Sequence, residues 1–362
     1  MRKTAETLAG MEGGRGPGSP GLAEAARLVG SWFGEVGLKP FEGRTFLLRE
    51  KAGKRRLVNI AGFVRGTSRP EEFVLIAAHY DHLSPVDGRA YPGANDNASG
   101  VAMLLELARH YAAAPPERSV IFVAFDGEED GRLGSRAFVK ALGEKRLARI
   151  NAAVNLDTVG RIDGQGPLIL GAASSDKWPH ILRGASFVTG LPHRLVKEDL
   201  DSSDQVSFIE AGVPAIQLFG GPDPDYHKPT DTPDKLDYRA MARAAELVRE
   251  TVDYLAGTAP FITRPSGAPA ASAGARKVST GLVPDFAYQG EGVRAADITP
   301  GSPLDAAGVK PGEVIKSVGG ETVGGLRDYS RAITAFKPGD SAVFTVQGGT
   351  GTREVAIKFS ER

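Results

Sequence analysis

Residues 125–135 read FDGEEDGRLGS and place four carboxylates, Asp126, Glu128, Glu129 and Asp130, in five positions directly after the apolar run SVIFVAF. Like charges at the mouth of a buried strand repel, and taking each out of water costs on the order of several kcal/mol. Two arrangements offset that cost: a solvated helix N-terminus, whose macrodipole favours acids, or bound cations. For Asp126 and Asp130 the expectation is the first, as acids of a helical first turn. Residues of the same chemistry recur elsewhere in the chain. AAHYDHL carries His79, Asp81 and His82, GANDNASG carries Asp96, NLDTVG carries Asp157, and DPDYHKPTDTPDKLD carries His227. Imidazole and carboxylate are donors that zinc accepts at about 2.0 to 2.2 Å. Five such groups, drawn from neighbouring strand ends, are enough to hold two metals.

The elements that must position them follow from periodicity. Ser19 and Pro20 suit the N-cap and first turn of a helix over 20–36, in which Leu22, Ala25, Val29, Trp32, Phe33 and Val36 recur at helical spacing. Strand-like RLVNIAGFV and EFVLIAAH, helical ASGVAMLLELARHYAA, strand SVIFVAF, helical GSRAFVKAL, strand NAAVNLD, strand VPAIQLFG and a helix over about 235–256 come next. Nearly continuous apolar strands alternating with helices predict an α/β fold, with a mixed, largely parallel central sheet covered by helices on both faces. In such sheets ligands bind beyond the carboxyl ends of the strands, where His79, the Glu128–Glu129 pair and Asp157 fall.

In this order, HYDH, GANDNASG, GEEDGRLGS, NLDTVGR and YHKPTDTPDKLD resemble the co-catalytic di-zinc aminopeptidase family, which includes secreted bacterial leucyl aminopeptidases, aminopeptidase Y, glutamate carboxypeptidase and the glutaminyl cyclases. The resemblance spans roughly residues 15–257 and implies a zinc exopeptidase fold with two zinc ions per chain. By that resemblance Asp96 bridges the metals, His79 and Asp157 complete one, and Glu129 and His227 complete the other. Two divalent cations then balance three carboxylates and a shared hydroxide. Glu128 is the spare carboxylate and the implied general base, since adjacent side chains point in different directions. Tyr226 matches a position that stabilises the oxyanion, and Asp81 is expected to accept the second imidazole N–H of His79. The resemblance also implies a cis Asp96–Asn97 peptide, for which Gly93 and Gly100 leave room.

The chain departs from the family pattern after Asp204, where Gln205 replaces a histidine, and at Thr158, where methionine is common. Both bear on substrate preference more than on catalysis. His110, His180 and His193 lack ligand partners nearby in sequence and are expected at the surface or in packing. His82 is near enough to touch substrate but is not assigned a role.

Residues 258–277 turn to Pro, Ala, Gly and Ser without apolar periodicity and are expected to be a linker. The domains expected are therefore 1–257, this linker and 278–362. Within the last, DITPGSPLDAAGVKPGEVIKSVGGETV resembles a PDZ domain of the bacterial protease type. That resemblance implies an extended peptide added as a strand, its terminal carboxylate held by the loop Thr280, Gly281, Leu282 and Val283, with a helix near 326–335 as the other wall. Whose C-terminus would bind is open.

Composition narrows the partners. Lys+Arg and Asp+Glu both number 44, so no excess charge draws the chain to nucleic acid. No apolar run reaches the roughly 18 residues of a membrane span, and MRKTAETLAGMEGG lacks the apolar stretch of a secretory signal. Cysteine is absent, which fits either redox compartment. Localisation is therefore open, with export suggested by the family if the chain is a processed form. The expected activity is a metal-dependent aminopeptidase acting on peptides. A glutaminyl-cyclase-like acyltransferase and a non-catalytic peptide-binding scaffold are the alternatives. A carboxypeptidase with a lid domain is disfavoured, because only 70 residues (227 − 157) separate Asp157 from His227.

Overall fold

A computed structural model describes all residues except 197–201, 264–277, 286, 287, 289, 350 and 362. They divide into two compact units: a large one built from residues up to 263, apart from 222–224, and a small one that comprises 222–224 and the residues from 278 onward. In the large unit the order is α1 (Arg2–Ala9), α2 (Pro20–Glu35), β1 (Lys39–Pro40), β2 (Leu47–Ala52), β3 (Arg55–Val64), β4 (Arg69–His79), α3 (Ser99–Ala113), β5 (Arg118–Phe125), α4 (Leu133–Leu147) and β6 (Ile150–Asp157). It continues with β7 (Leu168–Leu170), α5 (Trp178–Thr189), β8 (Arg194–Leu195), α6 (Gln205–Glu210), β9 (Ala215–Phe219) and α7 (Tyr238–Ala256).

One mixed sheet runs β1-β3-β5-β4-β6-β9-β7-β8, with β2 paired to β3. Its centre, β5-β4-β6-β9, is parallel, while β3 joins it antiparallel. All eight residues of β5 are buried, as are all eight of β6, which is why both read as largely apolar runs rather than as strict alternation. Successive side chains serve opposite faces. Val120, Phe122 and Ala124 join a core with residues of α2, α3, α5 and α7, whereas Phe125 meets Phe138 of α4 and Phe208 of α6 at ring-centroid distances of 5.6 and 6.2 Å.

Local signals set the helix ends. Ser19 accepts the Leu22 N–H at 3.0 Å and caps α2. Asp237 accepts from Arg239 and Ala240, both at 3.0 Å, so α7 starts at 238 rather than 235. Helix α1, which the sequence reading did not anticipate, buries Ala5 and Leu8.

The start of the expected linker belongs to the large unit. Arg118 donates to the Ala259 carbonyl at 2.7 Å, Ile262 N–H donates to Asn151 Oδ1 at 2.8 Å, and Ile262 is buried. A buried guanidinium needs acceptors, and these main-chain groups supply them. The rest of that stretch, 264–277, lies outside the described residues.

The small unit contains β10 (Val278–Ser279), β11 (Leu282–Pro284), β12 (Val293–Ile298), α8 (Pro303–Ala306), β13 (Val314–Val318), β14 (Glu321–Thr322), α9 (Leu326–Thr334), β15 (Ser341–Gly348), β16 (Gly351–Lys358) and β17 (Ser360–Glu361). An antiparallel sheet β11-β12-β13-β15-β16, with β14 on β13, encloses a core that includes Ile315, Ile333 and Phe344. Strand β11 is an edge of this sheet. Among the described residues no helix is long and apolar enough to cross a membrane.

Replacing Ser19 by Ala removes the α2 cap and is expected to lower the stability of the large unit by about 1 kcal/mol. Denaturant unfolding of the two proteins side by side measures this, and an unchanged midpoint would refute the role of the cap.

Candidate metal centre

Parallel pairing brings three strand ends together. His79 is in register with Phe125 across β4 and β5, and β6, which ends at Asp157, lies on the other side of β4. The turn before α3 delivers Asp96, and the loop after β9 delivers His227. Across this group the donors sort into two sets about Asp96. His79 Nε2 lies 3.3 Å from Asp96 Oδ1 and 3.3 Å from Asp157 Oδ1. His227 Nε2 lies 3.1 Å from Asp96 Oδ2 and 3.1 Å from Glu129 Oε2. Tetrahedral ligands at about 2.0 Å from a zinc ion stand roughly 3.3 Å from one another, so these four contacts have the spacing of neighbouring ligands on a cation, and ligand atoms of His79, Asp96 and Glu129 also lie within 4.8 Å of one another. Despite this crowding, the buried His227 Nε2 has no hydrogen-bond partner of acceptable geometry among the described residues.

Electrostatics agree with that reading. Burial opposes charge on His79 and His227, yet Asp157 beside the first and Glu129 beside the second outweigh it, and both imidazoles are held well above their usual pKa. Glu128 stands apart from the two sets. Its Oε1 is buried without a hydrogen-bond partner among the described residues, and burial, then Glu129 and Asp204, push its pKa well above the usual range against the pull of His79.

The supporting contacts were mostly invisible in the sequence. The closest approach to His79 Nδ1 is the main-chain oxygen of Asp81 at 3.3 Å, with the carboxylate at 3.6 Å. Besides lying near the imidazole, the Asp81 carboxylate accepts the N–H groups of Glu128 and Glu129 at 3.1 and 3.3 Å and orients that pair. Asp231, 135 residues from Asp96 in the chain, accepts the Asn95 N–H at 2.9 Å and the Asp96 N–H at 3.1 Å. Buried Arg15 donates to the carbonyls of Tyr80, Pro92 and Gly93 and so ties together the two loops that carry His82 and Asp96. His82, left without a role above, is fully buried and donates from Nδ1 to Glu129 Oε1 at 2.7 Å.

Asp126 and Asp130 are not first-turn acids, because α4 starts at Leu133 and its first turn holds no acid. Asp126 accepts from Arg55 at 3.0 Å and from the Val58 N–H at 2.9 Å, and Asp130 pairs with Arg55 at 3.1 Å. Arg55, on the antiparallel neighbour β3, is a counter-ion that local sequence could not reveal. Burial still lifts Asp126 to a pKa of about 6. Tyr226 is half-buried, and its ring stacks on His227 with centroids 3.8 Å apart and planes 18° apart. Burial, reinforced by Asp96, raises its pKa, so the phenol keeps its proton. His110 and His180 are exposed, and His193 meets Ser186; none joins the centre. The Asp96–Asn97 peptide is cis. A Cβ at Gly100 would stand 2.3 Å from Asn97 Oδ1 and 2.4 Å from the Leu156 carbonyl, so glycine is required there.

The sequence pattern of Peptidase family M28 matches residues 59–252, and that of the PDZ domain matches residues 274–359. The chain belongs to peptidase family M28. Its small unit is a PDZ domain. Aminopeptidase YwaD of Bacillus subtilis is 30% identical over 241 residues, which are 60% of this chain and 50% of that protein. This family member thus spans about half the length of that curated relative. Among solved structures, BSAP, a zinc aminopeptidase from Bacillus subtilis, is 30% identical with a TM-score of 0.51, covering 60% of this chain and 53% of the other. An aminopeptidase from Aneurinibacillus sp. strain AM-1, 19% identical, shares the fold with a TM-score of 0.59 over 73% of this chain and 95% of the other.

Asp231→Ala would orphan two buried N–H groups next to Asp96, each costing about 1–3 kcal/mol. A lower melting temperature and a reduced metal content after dialysis are expected. Wild-type values for both, read by calorimetry and elemental analysis, would refute this role.

Proposed function

We propose that this M28 family member is a metal-dependent aminopeptidase that hydrolyses the N-terminal peptide bond of its substrates with two zinc ions per chain. The observation that carries this reading is the division of contacts about Asp96: His79 Nε2 meets Asp96 Oδ1 and Asp157 Oδ1, and His227 Nε2 meets Asp96 Oδ2 and Glu129 Oε2. When bound, two divalent cations supply Lewis acidity to the scissile carbonyl and lower the pKa of water. Glu128, adjacent to Glu129 but outside both donor sets, takes a proton from the attacking water and returns it to the leaving amine nitrogen. Its place is fixed from behind by Asp81, which holds its main-chain N–H. Tyr226, a protonated phenol stacked on His227, donates to the carbonyl oxygen as negative charge develops there.

The PDZ unit is proposed to bind an extended C-terminal peptide along edge strand β11, with α9 as the second wall. The loop meant to receive the carboxylate is held in place from below. Gly281 has φ +78°, Thr280 Oγ1 lies 2.6 Å from the Tyr329 hydroxyl of α9, and the Thr280 carbonyl accepts the Leu304 N–H. An exported location is part of the same proposal, and fractionation of the source organism tests it.

Glu128→Gln keeps the shape of the side chain and removes its basicity. We expect it to retain two zinc equivalents and to lose about 10²- to 10⁴-fold in kcat on an aminoacyl amide. Unchanged turnover would sink the mechanism. One zinc equivalent in the wild type, with cyclised N-terminal glutamine as product, would replace the aminopeptidase reading by that of an acyltransferase. For the small unit, a peptide that binds the full-length protein is expected to lose affinity when its C-terminus is amidated, as read by fluorescence anisotropy; equal binding would count against carboxylate capture.

A further inference from the structure

The two terminal carboxylates of the centre are held in parallel fashion, but by unlike donors. Asp157 presents Oδ1 to His79 Nε2, while its Oδ2 accepts from Gln217 Nε2 at 3.2 Å. Glu129 presents Oε2 to His227 Nε2, while its Oε1 accepts from His82 Nδ1 at 2.7 Å. No donor is shared between these two outer contacts. On the Asp157 side the donor is the last member of a chain. Gln217 Oε1 accepts from Ser202 Oγ at 2.9 Å and from Gln205 Nε2 at 3.2 Å. Gln205 Nε2 also donates to Ser202 Oγ at 2.7 Å, and Gln205 Oε1 accepts from Asn155 Nδ2 at 3.4 Å. Gln217, Gln205 and Asn155 are all buried.

The direction of this chain is not arbitrary. An ionised carboxylate only accepts, so Gln217 must turn its NH2 towards Asp157 and its carbonyl away, and that choice dictates the orientation of Gln205 and then of Asn155. The elements enforce it. Gln217 lies on β9, in register with Asn155 on β6, and Asp157 ends β6 two residues later. Gln205 opens α6. A neutral amide donor leaves the charge of Asp157 intact while it fixes the plane of the carboxylate.

We propose that Gln217, oriented by Gln205 and Ser202, is a positioning residue for Asp157 that sets the affinity of the metal position built from His79 and Asp157 separately from that of the other position. This rests on the two-metal reading given above. Loss of such an outer partner typically weakens metal binding 10- to 100-fold. Residues that act through one another are also non-additive, so Gln205 should have no effect once Gln217 is gone.

The test is an equilibrium zinc titration of the full chain against a chromophoric chelator. Gln217→Met, close in volume but without the donor, is expected to weaken one of two binding steps about 10- to 100-fold and leave the other within twofold. That step should be the one lost in His79→Ala, and in the His79→Ala background Gln217→Met should no longer change the remaining step. Gln205→Met should weaken the same step less, and the Gln205→Met/Gln217→Met pair should match Gln217→Met alone. Equal weakening of both steps, no change in either, or full additivity of the pair would overturn the proposal. If the wild type takes up no zinc, or one equivalent only, the functional reading itself fails, a result distinct from a wild type with two steps that Gln217 does not separate.

Discussion

The structure depends on the burial of acids. Asp81, Asp96, Glu128 and Asp157 are all buried at the carboxyl ends of a parallel sheet, together with His79 and His82. Buried carboxylates that are neither paired nor coordinated would ionise only at a cost of several kcal/mol each. The fold meets that cost in layers. Inward, the carboxylates face one another and two imidazoles at separations suited to cations. Outward, Glu129 and Asp157 accept from fixed donors, His82 and Gln217, while the main-chain N–H groups of Asp96 and of the Glu128–Glu129 pair donate to the carboxylates of Asp231 and Asp81. Glu128 Oε1 is buried without a hydrogen-bond partner among the described residues, as are both carboxylate oxygens of Asp204.

This layering explains why the central sheet has its particular order. A parallel centre, β5-β4-β6-β9, puts four carboxyl ends side by side, and the antiparallel strand β3 on its flank brings Arg55 to the acids that the centre does not use. Arg15 performs the matching task from the N-terminal segment. Burial depresses its pKa to about 10, which leaves it charged, and it spends its donors on main-chain carbonyls rather than on carboxylates. The positive charge that balances the site is therefore not supplied by arginine at the ligands themselves.

Much of this was readable from the chain. The Ser19 cap, the run of fully buried strands, the five ligand-type residues and the placement of Glu128 beside Glu129 each follow from residue type and spacing, because caps and strand periodicity are local properties. What failed was also local in its reasoning. Asp126 and Asp130 are expected beside a helix macrodipole from their place before a helical segment, yet their counter-ion Arg55 is about 70 positions away. His82 carried no signal beyond its closeness to His79. Asp231 and Gln217 carried none, as a lone acid in a turn and a lone amide in an apolar strand have many uses.

The sequence alone determined the alternation of strands and helices, the ordered residues of metal-ligating type, and the presence of a second, PDZ-like segment, because these reside in composition, periodicity and ordered motifs. Only the tertiary structure decided which oxygen of Asp96 serves which imidazole, and that Asp157 and Glu129 are held by an amide on one side and an imidazole on the other. Those choices depend on strand order and register, which bring residues from 17 to 131 positions apart within about 3 Å, and register is a property of the whole packed sheet rather than of any stretch within it.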